Sequence, residues 1–277
     1  MDYTHFLNGK LVSSDRLLIS PMDLGYTRGY SVFEFMMTSK ERPFMLERHI
    51  ERLFQSCESI SLQLPWSKEQ IGQWALQTYN ANEHIVGEKA MRLTISGGPT
   101  WTLSPAKIPT IVIVVESRIK RPAEDYNNGV HVVLSEFQRY VPEAKTSNYI
   151  EAVRKFASLP SDIDEVIYHS EGMVLEGTRC NVFAVINGVI TTPQSKVLSG
   201  ITRGIILNDL KLPFSTIEKD FSVEELLNAS EIFITATSKN IMPVTKINGS
   251  PVGKGLVGPI TKEVMSTFQN FFNKGDW

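Results

Sequence analysis

The stretch EAKTSNYIEAVRKFA, residues 143–157, places a lysine just ahead of what reads as the start of a helix. Ile150, Val153 and Ala157 recur at i, i+3 and i+7, flanked by Tyr149 and Phe156, which is amphipathic helical spacing. Thr146, Ser147 and Asn148 are each acceptable as its N-cap. Lys145 would then face the positive end of the helix dipole, the less favourable end for a cation. One reading is a solvated surface lysine, the ordinary state of this residue type. The other is an amine held ready to act as a nucleophile. One residue does not separate them, so the rest of the chain must.

Upstream, FLNGKLV (6–12) is a hairpin signal, with Asn8-Gly9 between apolar positions. A short strand is expected at Leu17–Ile19, then two strands around a polar turn in 29–46. Helical spacing follows in 46–62, at Ile50, Leu53, Phe54, Cys57 and Ile60. Another helix is expected from Ser67 to Tyr79, with Ser67 and Gln70 as a capping box. Strands are expected at Lys89–Ser96 and Thr110–Glu116. SRIKRPAEDYNNG (117–129) is charged, contains Pro122 and ends in Asn128-Gly129, as a connecting segment does.

Downstream, strand signals lie at 130–137, Glu165–His169 and Met173–Leu175. NVFAVINGVITT (181–192) is a hairpin on Asn187-Gly188, and further strands lie at 232–236 and 242–249. Helices are expected near Arg203–Leu210, Val223–Asn228 and Val257–Phe272. Strands and helices mix without a βαβ rhythm, which indicates α+β. The expected domains are a small N-terminal domain over 1–118, a linker over 119–128 and a larger C-terminal domain over 129–277.

Bulk properties narrow the function. The chain has 277 residues, 42% hydrophobic and 21% charged, the composition of a folded core. Net charge of -2 gives no footprint for nucleic acid or an anionic membrane surface. No apolar run reaches spanning length, and the N-terminus lacks a secretory pattern. Cys57 and Cys180 provide neither a disulfide framework nor metal-ligand spacing. The expectation is a cytoplasmic protein without a metal.

Four further segments carry polar chemistry. In LSGITRGI (198–205), Gly200 precedes a helix start, where free N–H groups suit an anion; an ordinary capped helix reads the same way. In FITATSKN (233–240) a strand runs into Thr235, Thr237 and Ser238, as phosphate donors or plain turn residues. Arg52 offers a planar fork for phosphate, or is a solvated helix arginine. Glu176, between a strand and Gly177, is a turn residue or a carboxylate that pairs a heterocyclic nitrogen. Together these supply what pyridoxal phosphate needs: a lysine amine, an acid for the pyridine nitrogen and an anchored phosphate.

At this point the chain resembles the fold-type IV pyridoxal-phosphate enzymes: branched-chain and D-amino-acid aminotransferases and aminodeoxychorismate lyases. The resemblance rests on DLGYTRGYSVFEF (23–35), RHIERL, KTSNY, LEGTRCNVF, LSGITR and TATSKNIMPV, in that order along nearly the whole chain. It implies a small α/β domain plus a larger domain of barrel-like sheet, assembled as a homodimer. It implies Lys145 as the cofactor-bearing catalytic lysine and Glu176 as the partner of the pyridine nitrogen. It implies Arg52, Ile201, Thr202, Ala236 and Thr237 at the phosphate, Leu198 packed on the ring, and Tyr149 at the phenolic oxygen.

Substrate choice is open in the same resemblance. Thr100, Trp101 and Thr102 stand where D-amino-acid aminotransferases carry an arginine and a histidine, which argues against that specificity. Phe33-Glu34 departs from a Phe-Thr pair of some lyases. Arg28, Phe33, Arg92, Trp101 and Arg179 are the candidate pocket residues, with any of the three arginines available for a substrate carboxylate. The expected activity is conversion of a branched-chain or other small amino acid to its 2-oxo acid. Release of pyruvate and 4-aminobenzoate from aminodeoxychorismate is the alternative. A cofactor-free binding protein of the same fold is the remote one.

Overall fold

A computed structural model describes residues 3–39, 42–275 and 277, which divide into two compact units. The first comprises Met1–Ile119, Glu143–Asn148 and Trp277. Its strands are β1 (Thr4–Leu7), β2 (Lys10–Ser13), β3 (Ser31–Ser39), β4 (Arg42–Pro43), β5 (Lys89–Ser96) and β6 (Thr110–Ser117). They form one antiparallel sheet in the order β2-β1-β6-β5-β3-β4. Asn8 and Gly9 both take positive φ, as the two-residue turn between β1 and β2 requires.

Helix α1 (Leu24–Arg28) is capped by Asp23, whose Oδ1 accepts the Gly25 N–H while Oδ2 accepts Thr110 Oγ1–H. Helices α2 (Leu46–Ser59) and α3 (Lys68–Asn80) supply the apolar cover, and Ser67 caps α3. Leu53, Ile71 and Ala75 meet Met91, Leu93 and Ile113 of the sheet in one core, joined by the partly buried Trp66 and Trp74. Apolar area removed from water at roughly 25 cal/mol per Å² makes this the main stabilising term.

Residues 143–148, expected within the C-terminal domain, pair instead with β3. The Phe33 N–H donates to the Lys145 carbonyl at 2.9 Å and the Ser147 N–H to the Ser31 carbonyl at 3.0 Å. Trp277 likewise joins this unit, edge-on to Phe44 at 4.6 Å.

The second unit comprises Lys120–Pro142 and Tyr149–Asp276. Its strands are β7 (Val130–Glu136), β8 (Ile163–Ser170), β9 (Met173–Gly177), β10 (Asn181–Ile186), β11 (Val189–Thr192), β12 (Thr216–Glu218), β13 (Glu231–Ala236), β14 (Asn240–Ile247) and β15 (Ser250–Pro251). They form a curled, mixed nine-stranded sheet in the order β12-β11-β10-β13-β14-β7-β8-β9, with β15 on β14. Its helices are α4 (Ala123–Asn128), α5 (Ile150–Phe156), α6 (Ile201–Asn208), α7 (Val223–Leu227) and α8 (Pro259–Lys274). Phe183 and Phe233 face each other across β10 and β13 and stack at 4.9 Å. The carboxylate of Glu231 takes the Ile260 and Thr261 N–H groups, closing the first turn of α8.

Three further sequence expectations change. Leu17–Ile19 forms no strand, because Leu17 and Leu18 close a short turn onto Ser14 and Arg16. The segment 119–128 contains α4, a single short helix. Helix α5 begins at Ile150 with Tyr149 at its N-cap, since residues 145–147 are held extended against β3. Its apolar stripe is not buried: Ile150 and Val153 are exposed and only Ala152 is covered.

Candidate active site

In the first unit, strand β3 divides its chemistry between two faces. Glu34 points at α2 and is 1% exposed. Its two oxygens take Arg52 Nε at 2.7 Å, Arg52 Nη2 at 2.6 Å and His49 Nδ1 at 2.7 Å. Burial opposes the charge, but Arg52 and His49 outweigh it and hold the carboxyl down at about 2. Burial pushes His49 below its ordinary value, so the neutral ring donates from Nδ1 and Nε2 is left buried without a partner. The face of α2 that reads as polar, with His49, Arg52 and Ser56, is therefore buried. Glu34 and His49 escaped the sequence reading because partners eighteen and fifteen residues away carry no periodic signature.

The opposite face of β3 presents Phe33. Lys145 Nζ stands 4.7 Å from its ring centroid and the Arg92 guanidinium carbon 5.1 Å from it. Arg92 also lies 5.4 Å from Phe35. The Lys145 N–H donates to Ser56 Oγ at 3.1 Å, so the backbone that carries the lysine is fixed on both sides. Of the other candidate pocket residues, Arg28 is exposed and bonds the Thr27 carbonyl, and Trp101 is exposed on a loop.

The second unit holds the remaining candidates. Glu176, at the end of β9, is buried, and Arg139 Nε donates to its Oε1 at 2.6 Å. Its Oε2 accepts the Leu198 N–H at 3.1 Å. Asn181 Nδ2 donates to the Leu198 carbonyl at 2.8 Å, so that residue is gripped at both peptide groups. A Cβ on Gly200 would lie 1.9 Å from Asn181 Oδ1, so any side chain there must displace Asn181. Gly200 is the N-cap of α6 without a side-chain cap, which leaves the first-turn amides of Ile201 and Thr202 directed at the space before the helix.

Ala236 and Thr237 open the β13–β14 turn, one residue past Thr235, whose buried hydroxyl has no partner. Burial pushes the Tyr149 phenol up, so it stays protonated near neutrality. Arg179 stacks on Phe156 at 5.3 Å and lies 3.8 Å from Glu165. Arg139 is another residue the sequence did not reveal; nothing in its neighbours distinguishes it from a surface arginine. Among the described residues, no cluster of acidic, histidine or cysteine side chains suits a metal, and no helix is long and apolar enough to cross a membrane.

Residues 31–247 match the family described as amino-transferase class IV. The chain is 30% identical over 276 residues to a D-alanine aminotransferase of Staphylococcus epidermidis, covering 96% of each. It is 31% identical over 282 residues to a putative branched-chain-amino-acid aminotransferase of Methanocaldococcus jannaschii, covering 97% of this chain and 96% of that one. In fold it superposes on a branched-chain aminotransferase of the thermophilic archaeon Thermoproteus uzoniensis solved with norvaline. The TM-score is 0.89, over 100% of this chain and 96% of that one, at 25% identity. Another solved branched-chain amino acid aminotransferase, from T.th., carries pyridoxamine 5'-phosphate and superposes with a TM-score of 0.90, over 99% of this chain and 95% of that one, at 23% identity.

Proposed function

Because the chain belongs to the class IV amino-transferase family, we propose that Lys145 carries its pyridoxal phosphate and that the substrate is a small or branched-chain amino acid. The reaction class is transamination with that cofactor. The observation that carries the site assignment is the donor set. A buried carboxylate is held by two donors, a glycine cradle precedes uncapped helix amides, and a lysine stands on an aromatic face.

These residues fit the cofactor. Glu176 would hold a proton at the pyridine nitrogen, with Arg139 and the Leu198 N–H orienting its carboxylate. Ile201 and Thr202 amides, with Ala236 and Thr237, would bind the phosphate, and Leu198 would pack on the ring. Arg52, its guanidinium plane fixed by Glu34, is the arginine we assign to the phosphate. Tyr149, protonated, would donate to the phenolic oxygen. When bound, the cofactor supplies an electrophilic carbon for the amino group and a ring that stores an electron pair. Lys145 Nζ would take the proton from the substrate α-carbon and return it at the carbon that receives the nitrogen. Arg92 is the arginine we assign to the substrate carboxylate, because it shares Phe33 with Lys145.

We also propose a homodimer. Leu18, Ile19, Tyr26, Trp101 and Leu103 are all exposed, and the Thr100 N–H donates to the Met22 carbonyl, joining the loops that carry them. A second copy would cover these exposed apolar side chains.

The test is a panel of L- and D-amino acids added to cofactor-loaded protein, followed in the visible spectrum. Conversion of the cofactor to its amine form by small or branched-chain amino acids supports the assignment, and the responding set gives the handedness. No response to any of them, with pyruvate released from aminodeoxychorismate, would replace it with the lyase reaction. Sedimentation velocity tests the dimer.

A further inference from the structure

Lys239 is buried as few lysines are, its side chain 4% exposed, at the end of the turn that follows β13. Its ammonium lies 3.0 Å from Asp164 Oδ2 and 3.0 Å from Glu165 Oε2, and Glu165 is fully buried. Among the described residues the other buried lysine, Lys89, donates to the Ile85 carbonyl and lies over Tyr79. The Lys239 N–H closes the turn onto the Ala236 carbonyl at 3.1 Å, and its own carbonyl accepts Tyr126 Oη–H at 3.0 Å. Thr237 and Ser238 are thus the residues enclosed by a turn bolted at three points.

The far end of the bolt is equally built. Glu165 Oε1 accepts Thr178 Oγ1–H and the Val166 N–H, and Thr178 follows Glu176 by two residues. Asp164 is shared with Arg121. The Lys239 ion pairs with Glu165 and Asp164, together with the Thr178 hydrogen bond to Glu165, therefore tie the turn carrying Ala236 and Thr237 to the segment that follows Glu176. A hairpin closed by the Ala236–Asn240 pair does not need a buried charge to reverse direction. Taking an ammonium and a carboxylate out of water costs more than packing apolar side chains there, so the network fits a demand for fixed geometry. Thr235, one residue before the turn, keeps a buried hydroxyl without a partner, as expected where a bound group completes the site.

We propose that Lys239 is a positioning residue for the phosphate end of the cofactor site, holding Thr237 in place through Glu165 and Asp164. This rests on the cofactor assignment above. The ammonium stays charged: burial works against it, but Glu165 and Asp164 outweigh burial.

The test compares pyridoxal phosphate with unphosphorylated pyridoxal, bound by the full chain in equilibrium dialysis. Wild-type protein should prefer the phosphorylated form. Lys239→Met should cut that preference by about tenfold or more, while pyridoxal affinity changes by about twofold at most. Lys239→Arg should recover much of the preference. If Lys239→Met fails to fold, Lys239→Met with Glu165→Gln removes both buried charges and decides the matter, since the pair is then not left half-broken. An unchanged preference in the folded single or double variant overturns the proposal while leaving the cofactor assignment intact. Wild-type protein that takes up no pyridoxal phosphate overturns the assignment and this proposal with it.

Discussion

Replacing Glu34 with Gln removes the charge that Arg52 and His49 enclose. The wild-type carboxyl is held at about 2 against an ordinary 4.5, a difference of about 2.5 pH units, or roughly 3 kcal/mol of folding free energy. Breaking one member of a buried ion pair costs about 3–5 kcal/mol by independent measure, so the two figures agree. The sign is that of a depressed acid. The contribution is complete above pH 4.5, where the carboxyl is ionised folded and unfolded, and is lost as pH falls through about 2. About 2 kcal/mol of it should be gone by pH 3. Trp66 and Trp74 lie in the first-unit core, and Trp101 and Trp277 belong to the same unit, so tryptophan fluorescence reads its unfolding in urea. At pH 7 the variant should be about 3 kcal/mol less stable than wild type, and the gap should close to about 1 kcal/mol at pH 3. A gap that stays constant across that range would refute the electrostatic account of the cluster and leave only a packing defect.

Two more perturbations follow from the second unit and the thiols. Gly200→Ala drives a methyl group into Asn181 Oδ1, and should cost about 1–3 kcal/mol in thermal unfolding. Adding Asn181→Ala should cost less in that background than alone, because the obstructing oxygen leaves with it. Burial pushes the Cys57 thiol up to about 12 and the Cys180 thiol well above its ordinary range. Ellman's reagent should therefore find no fast-reacting thiol in native protein at pH 8 and both in urea; rapid native labelling would contradict the burial.

Much of the fold was legible because local chemistry specified it. Asn8-Gly9 and Asn187-Gly188 both form the tight hairpin turns their sequence demands, and Ser67 caps its helix. The Lys145 segment was misread for the opposite reason. Its caps and apolar spacing are sound locally, but pairing with β3 takes the backbone of residues 145–147 first, and a helix of seven residues starts later with its stripe exposed. From its helix alone Arg52 read equally as a phosphate fork or a solvated arginine, because helical spacing ranks a face by average polarity. One buried carboxylate on β3 is enough to turn that face inward. Arg139, Asn181 and Lys239 were invisible for a shared reason: each acts through a partner distant in sequence, which only the fold brings within reach.

The most direct test of the central claim is borohydride reduction of the cofactor-loaded protein, then proteolysis and mass spectrometry. Reduction should fix the cofactor mass on the peptide YVPEAKTSNYIEAVR, residues 140–154, at Lys145, and Lys145→Ala should leave no adduct. An adduct at Lys239 or elsewhere, or normal turnover in Lys145→Ala, would contradict the account.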